Sequence, residues 1–217
     1  MMWGFEMVTM EEYRKNPCGV LSIPFWKNKF VRIPEAMQIV HDSAYTRSGY
    51  EDYDDVPYFR LYHPLGDIAP FTLAGFRIVT ANWEDIPIFV DVINRSYTDL
   101  SVTYEQLLAY THTDVYQSGL WIMAIEEATS AVVGCAIADL DQQLHEGIIE
   151  WVQVAPGYRR KGIGQLLVNE LLIRLKHDAD FATVSGKIDS ESSPEFLYRR
   201  CGFVGNDVWH ILTKQEI

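Results

Sequence analysis

The amino-acid sequence predicts an α/β protein in which an N-terminal extension precedes a domain with the element order βααβββαβαβ. Three observations carry this. Apolar residues recur with helical spacing over residues 86–110 and again over 163–176. Between residues 120 and 154 the period switches to two in three successive runs. From residue 76 onward, caps, glycines and prolines separate these runs at regular intervals, as they do between short elements joined by turns.

Taken in order, residues 76–80 (FRIVT) alternate as a strand. Asn82 or Asp85 can cap the next helix, whose Ile86, Phe89, Val90, Val92, Ile93 and Tyr97 approximate a helical stripe. Ser101 or Thr103 can cap a second helix with Leu107, Leu108 and Tyr110 on its apolar face, the segment ending at Gly119. Residues 120–125, 131–138 and 147–154 read as three strands; a polar turn over 126–130 joins the first pair and residues 139–146 join the second. A helix over 163–176, a strand over 181–188, a short helix over 194–200 and a last strand near 208–212 complete the order. There is no internal repeat or low-complexity tract.

The chain has 217 residues, which at roughly 150 residues per domain corresponds to about 1.4 domains, one domain and an elaboration. Residues 1–74 hold six of the nine prolines and 13 aromatic residues, with a helical signal confined to a capped turn at Thr9 to Glu12. So many aromatics are costly to expose, so this extension is expected to be an irregular arm packed on a main domain at 75–217. Its acidic stretch over 51–55 reads as a solvated loop, or as a mouth for a cationic substrate.

With 30 acidic against 18 basic residues, the net charge of −12 argues against nucleic acid and anionic membranes as partners. Cys18, Cys135 and Cys201 form no CxxC pair and leave an odd thiol, so no disulfide framework or zinc knuckle is indicated. The N-terminus shows no secretory pattern and no run of apolar residues is long enough to span a bilayer, so a cytoplasmic location is expected. His112 has no second ligand one helical turn away, and no metal is expected. Cys201 is expected in the core, and Trp209 and His210 either pack the sheet or wall a pocket.

The stretch richest in chemistry is residues 151–172. A strand runs into Pro156 and Gly157, turns through Arg159, Arg160, Lys161, Gly162, Ile163 and Gly164, and emerges as a helix with Ile163, Leu167, Leu171 and Leu175 at four-residue spacing. The first N–H groups of a helix lack intrahelical partners and carry the positive end of its dipole, so the turn is suited to an anion. Three of the eleven basic residues after residue 74 stand together here, in an otherwise acidic chain. Walker A is absent, and a dinucleotide fingerprint would need glycine where Leu167 stands.

The arrangement resembles the GNAT superfamily of acetyl-CoA-dependent N-acetyltransferases. That family's signature, Gln or Arg followed by xxGx and Gly or Ala, is matched by Arg159 to Gly164 after the Val-x-Pro of Val154 to Pro156. Its LYxxxGF block is matched by Leu197 to Phe203. The resemblance spans residues 76–214 and leaves the first 74 unmatched. It implies a mixed, mainly antiparallel central sheet flanked by helices, with acetyl-CoA as cosubstrate. The pyrophosphate would rest on backbone N–H groups of Arg159, Arg160, Lys161, Gly162, Ile163 and Gly164, the side chains of Arg159 and Lys161 adding charge. Backbone groups of Val152 and Val154 would pair with the pantetheine arm. Where the family often has an Asn that contacts this arm, the chain has Glu191, and Ser192 or Ser193 is the expected substitute.

The resemblance also implies direct transfer to an amine in a ternary complex. Tyr198 stands at the family's general-acid tyrosine, and a Val152 N–H is the expected polariser of the carbonyl. Glu150, four residues before Val154 and so on its strand face by period two, matches a carboxylate that some relatives use as a base; an orienting role is the alternative. The expected acceptor is a small-molecule primary amine. A protein N-terminus or lysine as acceptor, and a non-catalytic CoA-binding sensor, are the alternatives. The resemblance admits a homodimer.

Overall fold

Stripes and alternations become elements at nearly the expected bounds. The computed structural model describes residues 8–96, 101–188, 190 and 194–215. The extension forms α1 (Met10–Lys15), α2 (Pro17–Val20), α3 (Phe25–Asn28), β1 (Met37–His41) and β2 (Tyr53–His63). There follow β3 (Phe76–Thr80), α4 (Ile86–Ser96), α5 (Tyr104–Tyr110), β4 (Trp121–Glu126), β5 (Val132–Asp141), β6 (Glu146–Val154), α6 (Ile163–Leu175), β7 (Phe181–Lys187), α7 (Pro194–Arg200) and β8 (Val204–Lys214). From β3 onward this is the expected βααβββαβαβ. Local chemistry sets the starts: Thr9 and Glu12 form a capping box on α1, and Thr103 and Gln106 another on α5.

The eight strands make one sheet in the order β1-β8-β2-β7-β6-β5-β4-β3. The pairing is antiparallel except between β6 and β7, which run parallel. The sheet is thus mixed, mainly antiparallel and flanked by helices. On one face α6 buries Ile163, Leu167, Leu171 and Leu175 to 1% exposure or less, against Ala136, Ala138, Ile149 and Val184. The other face carries α4 and α5 over Trp121, Met123, Cys135 and Ile137. Among the described residues no helix is long and apolar enough to cross a membrane.

The extension differs from the irregular arm expected of it. Its β2 is an 11-residue strand in the interior of the sheet, paired with β8 along one edge and β7 along the other. Pro57 hid this strand in the sequence, since proline has no N–H for a ladder. It is tolerated because it precedes the β2–β7 ladder, which begins at Tyr58. Asp55, from the acidic stretch, meets His210 Nδ1 at 3.0 Å, and the Tyr45 ring stacks on that histidine at 3.7 Å. Trp209 Nε1 donates to the Cys18 carbonyl at 2.8 Å. Both residues thus pack the extension against β8.

A buried charge network fastens the extension beneath the sheet. Arg60 of β2, 1% exposed, donates from Nη2 to Tyr13 Oη at 2.7 Å, and Tyr13 Oη donates to Glu146 Oε1 at 2.8 Å. Arg60 also reaches the Pro17 carbonyl and Ser185 Oγ, and Thr183 Oγ1 donates to Glu146. Burial, the largest influence, pushes the Glu146 carboxyl above its ordinary range, and Arg60 opposes it. Removing one partner of a buried pair strands the other, so Arg60→Met is expected to lower stability in urea by about 3–5 kcal/mol. A loss below about 1 kcal/mol, the scale of an exposed pair, would contradict this account.

Candidate active site

The site begins where two parallel strands part. Among the described residues β6 and β7 pair over Glu146–Ile149 against Phe181–Val184, and the ladder stops there. Beyond it β7 continues along β2 to Lys187, opposite Tyr58. From residue 150 to Val154, β6 keeps β5 on one side and leaves its other backbone edge without β7. A cleft opens, and the edge of β6 that β7 has left carries the peptide groups of Val152 and Val154, the Val154 carbonyl accepting from Arg159 Nε.

At the wide end of the cleft lies the basic loop. Gly162 caps α6 at φ 90°, a left-handed conformation that glycine adopts without penalty, and no side chain caps the helix there. Leu166 N donates to the Gly162 carbonyl at 3.0 Å, so the N–H groups between them are those of the first turn, which lack intrahelical acceptors. Arg160 is also left-handed, at φ 62°, a costly state for a residue with a Cβ. Arg159 donates from Nε to the Val154 carbonyl at 3.3 Å and from Nη2 to the Ser96 carbonyl at 3.0 Å, so its guanidinium fastens the loop to β6 and α4. Lys161 Nζ lies 4.7 Å from the centre of the Tyr158 ring. Gly164 passes so close to α7 that a Cβ there would stand 3.0 Å from Leu197 Cδ2, which joins the two sequence motifs in space.

Tyr198 of α7 is 7% exposed, its ring 6.1 Å from Phe59 and 5.7 Å from Phe203, in the core cluster that includes Ile163 and Leu167. Glu191, Ser192 and Ser193 lie outside the described residues. The extension supplies residues that no motif indicated. Phe71 and Leu73 come within 3.7 Å of a Cβ placed on Gly162, and Asn169 of α6 bonds the backbone at Ala69 and Phe71.

Glu150 does not share the face of Val154, as period two required. The β5–β6 register jumps from Ile137↔Trp151 to Ala138↔Ile149, so Glu150 is the extra residue of a β-bulge. Val152 and Val154 pack toward α6, whereas Glu150 meets Lys27 of α3 at 2.6 Å. Asp139 of β5, 2% exposed, shares this environment, and burial followed by the Glu150 charge pushes its carboxyl up to about 8, with Lys27 opposing. The Tyr110 hydroxyl of α5 is raised by burial first, Lys27 opposing and Glu150 and Asp139 adding.

Other singled-out residues are structural. His112 Nδ1 lies 3.0 Å from the Leu108 carbonyl. Cys201 packs on the core, its thiol pushed up to about 11 by burial. No group of three or more His, Cys, Asp or Glu among the described residues could hold a metal ion. A hollow of about 410 Å³ lined by Gln117, Leu120, Arg174 and His177 lies at the other end of α6, away from the cleft.

Residues 117–205 match the family model described as an acetyltransferase (GNAT) domain. No curated protein matches the sequence. The GCN5-related N-acetyltransferase from Sphaerobacter thermophilus is similar at a TM-score of 0.67 and 18% identity, over 87% of this chain and 63% of that one. The GCN5-related N-acetyltransferase from Kribbella flavida is similar at 0.53 and 16%, over 84% of this chain and 61% of that one. The ribosomal-protein-S18-alanine N-acetyltransferase from Escherichia coli is similar at 0.50 and 17%, over 65% of this chain and 96% of that one. The chain therefore spans less than two thirds of the first two proteins, at 63% and 61%. At these identities the likeness is one of fold. The family match covers the strand, loop and helix that build the cleft, and over residues 117–205 the chain is similar to GNAT acetyltransferases.

Proposed function

We propose that the chain is an acetyl-CoA-dependent N-acetyltransferase that acetylates a primary amine of a small molecule. The observation that carries this reading is the parting of β6 and β7 directly before a basic, uncapped helix start. The residues present fit the cosubstrate. A strand edge at Val152 and Val154 that β7 does not cover suits an extended, amide-bearing arm, which can add to it as a strand does. The first turn of α6, with Arg159, Arg160 and Lys161 before it, suits a pyrophosphate. When bound there, acetyl-CoA supplies the acetyl group as an activated thioester.

The chain's own groups have definite parts in this reading. The N–H of Val152 polarises the carbonyl, Tyr198 provides the proton for the leaving sulfur, and Glu150 orients the acceptor or takes its proton. Ser193 is kept as the substitute contact to the pantetheine arm. A small acceptor is favoured because the extension covers this face, with α3 delivering Lys27 onto Glu150. In a thiol-release assay, small amines should be turned over and peptides should not.

Calorimetry tests the cofactor half. The wild type should bind acetyl-CoA, and Lys161→Ala should weaken binding by about tenfold through loss of a charge-assisted contact. No binding by the wild type would sink the assignment. For the chemistry, Tyr198→Phe should lower kcat by about a hundredfold with acetyl-CoA affinity retained, and full turnover would remove its role.

The raised Asp139 carboxyl makes a prediction about stability. Between its ordinary value and about 8, this group keeps its proton in the folded protein and has lost it in the unfolded chain. The folded state then binds more protons, so stability falls as pH rises through that window. Asp139→Asn should flatten this fall, gaining on the wild type between about pH 4 and pH 8 in urea unfolding. Parallel pH curves for the two proteins would contradict it.

A further inference from the structure

The face of the sheet opposite α6 holds a charge cluster that the transfer reading uses only in part. Four elements converge on it: Lys27 from α3, Glu150 from the bulge of β6, Asp139 from β5 and Tyr110 from α5. Lys27 Nζ stands 2.6 Å from Glu150 Oε1, with side chains 23% and 12% exposed, and 5.5 Å from the centre of the Trp26 ring. Asp139 is more deeply buried, and its Oδ2 has no hydrogen-bond partner among the described residues.

One ammonium thus pairs with Glu150 and lies within electrostatic reach of a second carboxyl, that of Asp139, which is incompletely satisfied. A lysine that served only to fasten the extension would need one carboxylate. A second, buried and short of a partner, is a standing cost that a fold removes unless something else completes it. An ammonium carries three donors and can meet both carboxyls. The cluster also lies two residues from Val152, where the cleft begins, so an amine held here is beside the strand edge assigned to the cosubstrate.

We propose that Glu150 and Asp139 form the subsite for the acceptor's ammonium group, that Lys27 occupies this subsite when no acceptor is present, and that the acceptor is a primary amine on an unbranched aliphatic chain. The lysine side chain defines the class, because what fits in its place resembles it in length, charge and thickness. Two ammonium groups cannot share the subsite at contact distance, so the acceptor enters as Lys27 leaves. Its apparent affinity is reduced by the fraction of molecules in which Lys27 has let go. The inference rests on the transfer reading for the fate of the amine, though not for its binding.

The test is calorimetry with cadaverine, whose carbon chain is that of lysine without the carboxylate, in the absence of acetyl-CoA. Lys27→Met should bind it about tenfold more tightly than the wild type, which corresponds to a subsite about nine-tenths occupied by Lys27. The gain should vanish in the double variant Lys27→Met/Glu150→Gln. Equal affinity of wild type and Lys27→Met, or a gain that survives Glu150→Gln, would overturn the proposal. If Lys27→Met fails to fold by circular dichroism, the wild type carries the test. Labelling of Lys27 by acetic anhydride, read by mass spectrometry as a ratio to the exposed Lys15 so that reagent consumed by the diamine cancels, should rise at least about twofold under saturating cadaverine, and an unchanged ratio would overturn the proposal. Acetyl-CoA titrations of the same preparations keep the two readings apart: failure to bind it defeats the transfer reading and leaves the amine result standing.

Discussion

The pairing of β7 with β2 is the constraint on which the rest of the structure depends. β7 follows β2 from Ala182 to Lys187 and keeps company with β6 only as far as Val184. Strands in a ladder are held about 4.8 Å apart, so a strand committed to one neighbour leaves the other wherever their directions diverge. The cleft is therefore made by a strand from residues 53–63, far earlier in the chain than the loop at residues 159–164 that lies at its mouth. Arg60 fixes that strand to α1, β6 and β7 through Tyr13, Glu146 and Ser185. Stability and site geometry share one buried guanidinium.

Charge is distributed to the same end. The surface is acidic, and two of the places where cations concentrate or are buried with carboxylates border the cleft. At one end Arg159, Arg160 and Lys161 precede the positive end of α6, and much of the side-chain capacity is spent on shaping the loop, with Arg159 on the carbonyls of Val154 and Ser96. On the proposed reading, anion binding then falls to backbone N–H groups, which need no side-chain ordering when a ligand arrives. At the other end Lys27 neutralises Glu150 beside a buried Asp139. On the proposed reading, the cleft runs from a site for negative charge to a site for positive charge, as joining a CoA ester to an amine requires.

What was legible in the sequence was local. The loop could be read because Gly162 must be left-handed and the helix after it repeats leucine every four residues. The strands β4, β5 and β6 could be read because alternation survives wherever one face of a strand meets one core. The strand β2 could not, since Pro57 interrupts its pattern and its partners lie far along the chain at β7 and β8. Glu150 was found as a residue and misplaced by a face, because an inserted residue shifts the period without changing any neighbouring letter. Lys27 carried no signal at all: its role comes from a contact spanning 123 positions.

Backbone amide exchange with and without acetyl-CoA tests the central claim most directly, because the cofactor is expected to be held by peptide groups. Exchange should slow at residues 151–154 on the open edge of β6 and at residues 162–166 in the first turn of α6. Unchanged exchange at both segments, or slowing confined to residues 117–120 and 174–178 around the hollow at the far end of α6, would contradict the account.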